Sequence, residues 1–306
     1  MKEYPMTFQE FIKRFSTEEQ CRNYLFALRF PNGFVCPKCG GNEYWKVGYV
    51  LHTCKDCRHQ TSVIAGTIFQ DTRKPLTDWF IAIWWITTQK QGASAEGLKQ
   101  ILGLRSDQTA WTWLHKIRKA MVNPNRTKLS GTIEIDETLI GGVATGKRGR
   151  GAGNKVLVAI AVELDGKKLG RCRMSIVPDA SSDSLHAFIV DNIEKGSNII
   201  TDGWNGYNGI ETKGFSRQIH VQKNESEDEK LLPHIHTISS LLKRWLLGTH
   251  QGAVESQHLQ SYLDEYVFRF NRRKSAQRGL LFYRLLESAM RTETITYREL
   301  TERRAE

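Results

Sequence analysis

Four cysteines and two widely separated aspartates carry most of the chemistry this sequence offers. Cys36, Cys39, Cys54 and Cys57 stand in a C-x2-C-x14-C-x2-C arrangement. Each pair can aim two thiolates at one ion from a tight turn, and four sulfurs make the closed tetrahedral shell of a structural zinc site. Such a site holds a fold together and performs no reaction. The intervening segment GNEYWKVGYVLHT alternates aromatic and polar residues as a short hairpin does, so the predicted unit is a zinc ribbon with one ion. Cys21 and Cys172 have no neighbouring partner in sequence and read as small core residues.

The aspartates are Asp136 and Asp202. Asp136 lies in the middle of an alternating run at 131–140; Asp202 ends a short apolar run that begins at Asn198 and is followed by the turn 203–207. Carboxylates brought side by side repel one another unless a divalent cation lies between them. Two such cations can activate a water or a 3′ hydroxyl and stabilise the leaving oxygen of an in-line attack on a phosphodiester. Phosphoryl transfer is therefore the reaction such a pair suits. An aspartate before glycine is also an ordinary turn former, and only the neighbourhood of the two strands separates the readings.

The chain has 306 residues, enough for two or three cores beside a small ribbon. Its 44 Lys+Arg against 33 Asp+Glu leave a formal charge of +11, which favours a polyanion such as DNA or RNA. The most apolar run, Trp79 to Ile86, is far shorter than the ~20 residues that cross a bilayer. The start MKEYPMTFQEF has acids where a signal peptide is apolar, so a soluble cytoplasmic protein is expected.

The elements follow from pattern. Ser16 to Glu19 reads as a capping box that opens a helix ending near Pro31. Leu76 to Ile86 is apolar nearly all round, as a helix buried between others is. Two capped segments, 94–104 and 106–121, resemble a helix-turn-helix whose second helix presents Gln108, Thr109, Thr112, Lys116 and Lys119 to a major groove. Residues 122–130 have linker composition. Strands are predicted over 131–140, 155–163 and 168–177, then a helix over 183–194 and a strand over 198–202. This order is that of a ribonuclease-H-like core, in which the first and fourth strands are neighbours and Asp136 and Asp202 meet on one face. The glycine-rich segment 145–154 reads as a loop whose Lys147, Arg148 and Arg150 suit a phosphate backbone. In 263–274 aromatics alternate with cations; Arg269, Arg272 and Arg273 are candidates to clamp DNA. The resulting fold class is α+β multidomain: N-terminal helices and zinc ribbon at 1–65, a helix-turn-helix-like region at 66–128, and a ribonuclease-H-like α/β core at 129–306.

The ribbon, the strand motif IEIDETLIGG at 133–142, the turn TDGWNGY at 201–207 and the segment LKRWLLGTHQGAVESQHLQSYLDEYVFRFNRR at 242–273 together resemble insertion-sequence transposases that combine a zinc ribbon with a DDE-type, ISXO2-like catalytic core. The resemblance implies an enzyme that binds terminal inverted repeats and target DNA, cuts and joins strands with two Mg2+ or Mn2+ ions, and works as a dimer or larger assembly. It also implies that Asp136 and Asp202 are the first two metal ligands. A catalytically inactive DNA-binding relative and a nuclease or resolvase on the same core are the rival readings.

The third ligand of such enzymes is usually a glutamate about 35 residues after the second aspartate, with a Lys or Arg two helical turns later. His236 stands 34 residues after Asp202, and Lys243, followed by Arg244, comes seven later. Histidine thus occupies the glutamate's place, with Glu255 or Glu265 as the alternatives. Imidazole is a softer ligand than carboxylate and suits Mn2+ better than Mg2+. Strand transfer is accordingly expected to run faster in Mn2+; equal rates in the two metals, together with an inert His236→Ala, would remove His236 from the site.

Overall fold

The computed structural model describes residues 4–48, 50–89, 92–141, 155–166, 168–220, 232–251 and 254–302. In chain order the elements are α1 (Phe8–Arg14), α2 (Glu18–Arg29), β1 (Tyr44–Val47), β2 (Leu51–Cys54), β3 (Gln60–Ser62), α3 (Leu76–Thr88), α4 (Ala95–Leu102), α5 (Asp107–Met121), β4 (Thr132–Gly141), β5 (Lys155–Asp165), β6 (Lys168–Ile176), α6 (Ser182–Asn192), β7 (Asn198–Thr201), β8 (Ser216–Ile219), α7 (Pro233–His250), α8 (Ser256–Phe270), α9 (Arg278–Ala289) and α10 (Tyr297–Thr301). They divide into two compact units, Met1–Asn123 with Ser275–Glu306, and Pro124–Lys274. Among the described residues no helix is long and apolar enough to cross a membrane.

In the first unit, the capping box that opens α2 sits one residue later than the sequence pattern placed it. Thr17 accepts from the Gln20 N–H at 3.2 Å and the Gln20 side chain reaches back to the Thr17 N–H at 3.1 Å. At the other end of α2, Arg29 donates to the carbonyls of Val63 and Ala65 at 2.7 and 2.6 Å, tying the helix to the chain just beyond the ribbon. Helix α3 is buried nearly all round. Its Trp79 stacks on Trp113 of α5 at 3.8 Å. Phe282 of α9 meets Phe11, Phe80 and Trp84 edge-on at 5.4, 5.7 and 5.6 Å. That aromatic cluster explains a difference from the expected division: the last stretch of chain folds with the first unit, because α9 completes the core around α3, whereas a domain running from 129 to 306 was expected.

The second unit is built on a five-stranded sheet in the order β6-β5-β4-β7-β8. Strands β4, β5 and β6 form an antiparallel meander; β7 then joins β4 in parallel, and β8 joins β7 in parallel. Three antiparallel strands, a crossover helix and a parallel fourth strand beside the first make a ribonuclease-H-like sheet. Alternation along β4 and β5 feeds two cores. Ile133, Ile135, Ala159 and Ile199 pack with Leu185, Phe188 and Ile189 of α6. Ile140, Val158, Ile160 and Ile200 pack with Ile235, Ile238 and Leu242 of α7 and Leu259 and Leu263 of α8. Strand β8 was not anticipated, since its four residues are mostly exposed and carry no apolar alternation.

The β6 edge is closed by side-chain amides from α8 and the residue after it. The Asn271 Oδ1 accepts from the Cys172 N–H at 2.7 Å and its Nδ2 donates to the Cys172 carbonyl at 3.1 Å; Gln260 Oε1 accepts from the Ile176 N–H at 3.0 Å. These bonds satisfy strand groups that would otherwise lie buried and unpaired under α8. Asn271→Ala is expected to cost about 1–3 kcal/mol in chemical denaturation, the range for stranding buried partners; an unchanged unfolding midpoint would mean that water replaces the amide.

Candidate zinc centre and candidate active site

The four cysteines converge. Their sulfurs all lie within 4.8 Å of one another, with Cys36 to Cys57 and Cys39 to Cys54 each at 3.6 Å. A tetrahedron with zinc–sulfur bonds of about 2.3 Å has edges of about 3.8 Å, so the spacing fits one zinc ion. Each pair is held in a turn. The Cys36 N–H donates to the Gly41 carbonyl at 2.8 Å and the Gly40 N–H to the Cys36 carbonyl at 2.9 Å; in the second turn the Cys54 N–H donates to the His59 carbonyl at 2.9 Å. Gly40 sits at φ +79°, a backbone region glycine enters without steric cost. Cys21 and Cys172 are buried away from this cluster, and burial pushes each thiol up to about 12.

The second centre is set by the sheet. Strands β4 and β7 pair with Ile133 beside Ile199 and Glu134 beside Ile200, an offset of 66. Carried two residues further, this offset sets Asp136 level with Asp202, which directly follows the last residue of β7. In-register residues of parallel strands point to the same face. Glu134 and Thr138, which flank Asp136 on that face, both touch α7: Ser239 donates to Thr138 at 3.0 Å, and Glu134 binds the start of the helix. Asp136 and Asp202 are both half-buried. Asp136 Oδ1 accepts from the Glu137 N–H at 2.8 Å and Asp202 Oδ1 from the Trp204 N–H at 3.0 Å. The buried phenol of Tyr207 senses both. Burial, and then the charges of Glu137, Asp136 and Asp202, hold its pKa well above the ordinary value.

Glu134 is the residue that fixes α7, and sequence pattern gave it no role. It is 4 % exposed. Its Oε2 accepts from the His234 and Ile235 N–H groups at 3.1 and 3.0 Å, and its Oε1 meets His234 Nδ1 at 2.6 Å. A carboxylate at a helix N-terminus satisfies orphan donors and complements the helix dipole. The available signal was an acid flanked by Ile133 and Ile135 in a strand buried on both faces. Arg217 of β8 was also missed. It donates to Thr201 Oγ1 at 2.9 Å, to the Asp202 carbonyl at 3.2 Å and to Asn208 Oδ1 at 2.8 Å, stitching the turn after β7. Gly206 in that turn admits no side chain, because a Cβ there would lie 2.3 Å from the Ala180 carbonyl oxygen.

The other candidates fall into place individually. His236 is exposed on the first turns of α7, between Ile235, held by Glu134, and Ser239, held by Thr138. Among the described residues, Asp136, Asp202 and His236 are not drawn together as tightly as the four cysteines. Lys243 and Arg244 are exposed further along α7, as is Leu241, while Ser239 is buried. Glu265 is fully buried and paired with Arg269 at 2.8 Å, on a helix that packs against β6 and therefore two strands away from β4. Glu255 stands at the N-cap position of α8 without a side-chain capping bond, and its carboxylate accepts from Gln257 at 2.7 Å.

Three cations expected to clamp DNA make contacts within the fold. Arg269 holds Glu265; Arg272 lies over the Phe268 ring at 4.0 Å; Arg273 lies over Phe270 at 3.9 Å and donates to the carbonyls of Gly170 and Leu169. The three- and four-residue spacing stacks Arg272 and Arg273, just past the end of α8, on rings of its last turn. In the first unit α4 and α5 are joined through Gly103 at φ +59°. On α5, Lys119 is exposed, whereas Lys116 is half-buried and its ammonium is lowered by burial against the pull of Asp71 and Glu299. Lys147, Arg148 and Arg150 lie outside the described residues.

Two outcomes test these centres. Elemental analysis is expected to find one zinc per chain, and Cys36→Ser to release it; retention by the variant would contradict a four-thiolate site. Glu134→Gln, which keeps the side chain's shape and removes its charge, is expected to cost about 1–2 kcal/mol of stability through the weakened cap; an unaltered denaturation midpoint would show that α7 is anchored elsewhere.

Residues 16–60 match the model of the transposase zinc-ribbon domain, and residues 128–271 match that of the ISXO2-like transposase domain. A protein of the transposable element ISH50 from Halobacterium salinarum, itself described as uncharacterized, is 25 % identical over 281 residues, which cover 84 % of this chain and 92 % of that one. Among solved structures, the catalytic core domain of BIV integrase is similar at TM-score 0.34 and 15 % identity, covering 49 % of this chain and 89 % of that one. A Drosophila P element transposase strand transfer complex is similar at TM-score 0.28 and 11 % identity, covering 72 % of this chain and 65 % of that one. The ribonuclease-H-like character of the core stands on its own strand order. The chain thus carries a match to a transposase zinc-ribbon domain ahead of a match to an ISXO2-like transposase domain.

Proposed function

We propose that Asp136, Asp202 and His236 form the catalytic centre of a metal-dependent DNA transposase, with Lys243 beside them on α7. The single observation that supports this reading is the parallel β4–β7 register, whose last pair, Glu134 beside Ile200, lies two residues before each aspartate on the face that α7 covers. Two hard carboxylate donors and an imidazole suit Mg2+ or Mn2+, and the N–H groups of Glu137 and Trp204 orient one oxygen of each aspartate. Bound there, the ions supply Lewis acidity to the scissile phosphate and lower the pKa of the attacking water or 3′ hydroxyl. The protein's own part is placement. Glu134 and Thr138 hold α7 against β4, so that His236 rides on a helix anchored on both sides of it. Arg217 fixes the backbone at Asp202. Lys243 and Arg244, exposed on the same helix, provide positive charge for the DNA backbone. DNA carrying the element's terminal repeats is the substrate, and joining two ends calls for at least two copies of the chain.

Cleavage of a plasmid carrying the element's ends, in Mn2+, tests this. Asp136→Asn and Asp202→Asn are each expected to reduce cleavage and strand transfer by about 10^3-fold or more, the loss of several kcal/mol of metal-borne stabilisation, while DNA binding persists. Cleavage by both variants at the wild-type rate would overturn the assignment. Cutting that follows DNA shape and ignores the terminal repeats would point to a nuclease or resolvase.

A further inference from the structure

A cleft beside the zinc ribbon lies between α2 and the β1–β2 hairpin, with Arg22, Asn23, Lys46 and His52 at its walls and Leu51 and Val63 in its lining. Two of its lining residues carry a buried polar atom with no hydrogen-bond partner: Arg22 Nη1 and His52 Nδ1. His52 is 7 % exposed and lies between the rings of Phe26 at 4.8 Å and Tyr44 at 5.1 Å. The other terminal nitrogen of Arg22 is held by Glu18 at 2.8 Å, one turn earlier on α2, which fixes the guanidinium and leaves Nη1 unmatched. Buried polar groups are nearly always paired, and two orphans in one cleft mark a place that a polar ligand completes. Lys46 stands exposed at the mouth and makes no ion pair among the described residues. Asn23, also exposed, adds an amide donor.

The charge selects the ligand. Arg22 and Lys46 line the cleft, with Arg22 paired to Glu18, and a planar guanidinium is matched in shape to phosphate oxygens. We propose that this cleft seats one phosphodiester group of DNA, with Arg22 and Lys46 as its cations and Asn23 as a hydrogen-bond donor, so that the ribbon is part of the DNA-binding surface as well as a brace. The proposal rests on the transposase reading above, and it assigns the ribbon a contact that the catalytic centre does not require. His52 closes the bottom of the cleft, where its unmatched nitrogen takes a water bound to the phosphate.

The test uses the full-length zinc-loaded protein and a fluorescein-labelled duplex of about 30 base pairs, with affinity followed by anisotropy across salt concentrations. One seated phosphate contributes about 0.9 to the slope of log K against log salt. Lys46→Gln, a surface change, is expected to lower that slope by about 1 and to weaken binding several-fold. Arg22→Gln is expected to do the same, and the double variant to lose no more than either, because one phosphate is lost in each case. Zinc content and melting temperature show whether Arg22→Gln is folded; Lys46→Gln carries the test if it is not. Unchanged slopes in folded variants would overturn the cleft while leaving the transposase reading intact. A wild-type protein that binds no duplex would overturn the transposase reading instead. Thermal protection of the wild type by inorganic phosphate, lost in Lys46→Gln while the DNA slope is unchanged, would make the cleft a free-phosphate site and overturn the DNA assignment.

Discussion

The parallel pairing of β4 with β7 is the constraint on which the candidate catalytic centre depends. An offset of 66 residues joins a strand near the start of the core to one that follows a meander and a crossover helix. Without that pairing, Asp136 and Asp202 are two unrelated acids, one in a strand and one before a turn. With it, each lies two residues beyond the same strand pair, Glu134 beside Ile200. The pairing is held by packing on both sides of the sheet: Ile133 and Ile199 in the core under α6, and Ile200 in the core under α7. A slip of one residue would send each of these to the wrong face, so the register is fixed by burial and not by the short run of paired residues alone.

The helix over that face is positioned by polar contacts as well as apolar ones. Glu134 reaches from the strand to cap α7, and Thr138 meets Ser239 one and a half turns later. The two contacts bracket Asp136 on the strand and His236 on the helix. Burying a carboxylate is costly unless hydrogen bonds to it are complete, and Glu134 receives them from two backbone N–H groups and an imidazole. Specificity of helix placement is the return on that cost.

Much of this was legible in the sequence, and the reasons for the rest are physical. The cysteine spacing announced the ribbon because zinc coordination tolerates few alternatives. The order of strands was readable because β4 to β6 alternate or run apolar over nine residues or more. Strand β8 was not, being four mostly exposed residues whose place is set by backbone pairing with β7. The return of α9 to the first unit was hidden because its apolar face says only that it is buried, not against what; Phe282 finds its partners in α1 and α3. Arg269, Arg272 and Arg273 show the converse, since their sequence pattern left their contacts within the fold unread. A basic, aromatic stretch resembles a nucleic-acid surface, and in the fold the same residues stack on rings of the last turn of α8 or pair with a buried acid. Arg217 and Glu134 act through contacts about 15 and 100 positions away in sequence, which no local pattern encodes.

The most direct measurement is the location of Mn2+ in a DNA-bound crystal by anomalous scattering. The account predicts ions coordinated at about 2.0–2.6 Å by carboxylate oxygens of both Asp136 and Asp202, with His236 turned toward the same site. Manganese held by only one of the two aspartates, with the other directed away from it, would contradict the account.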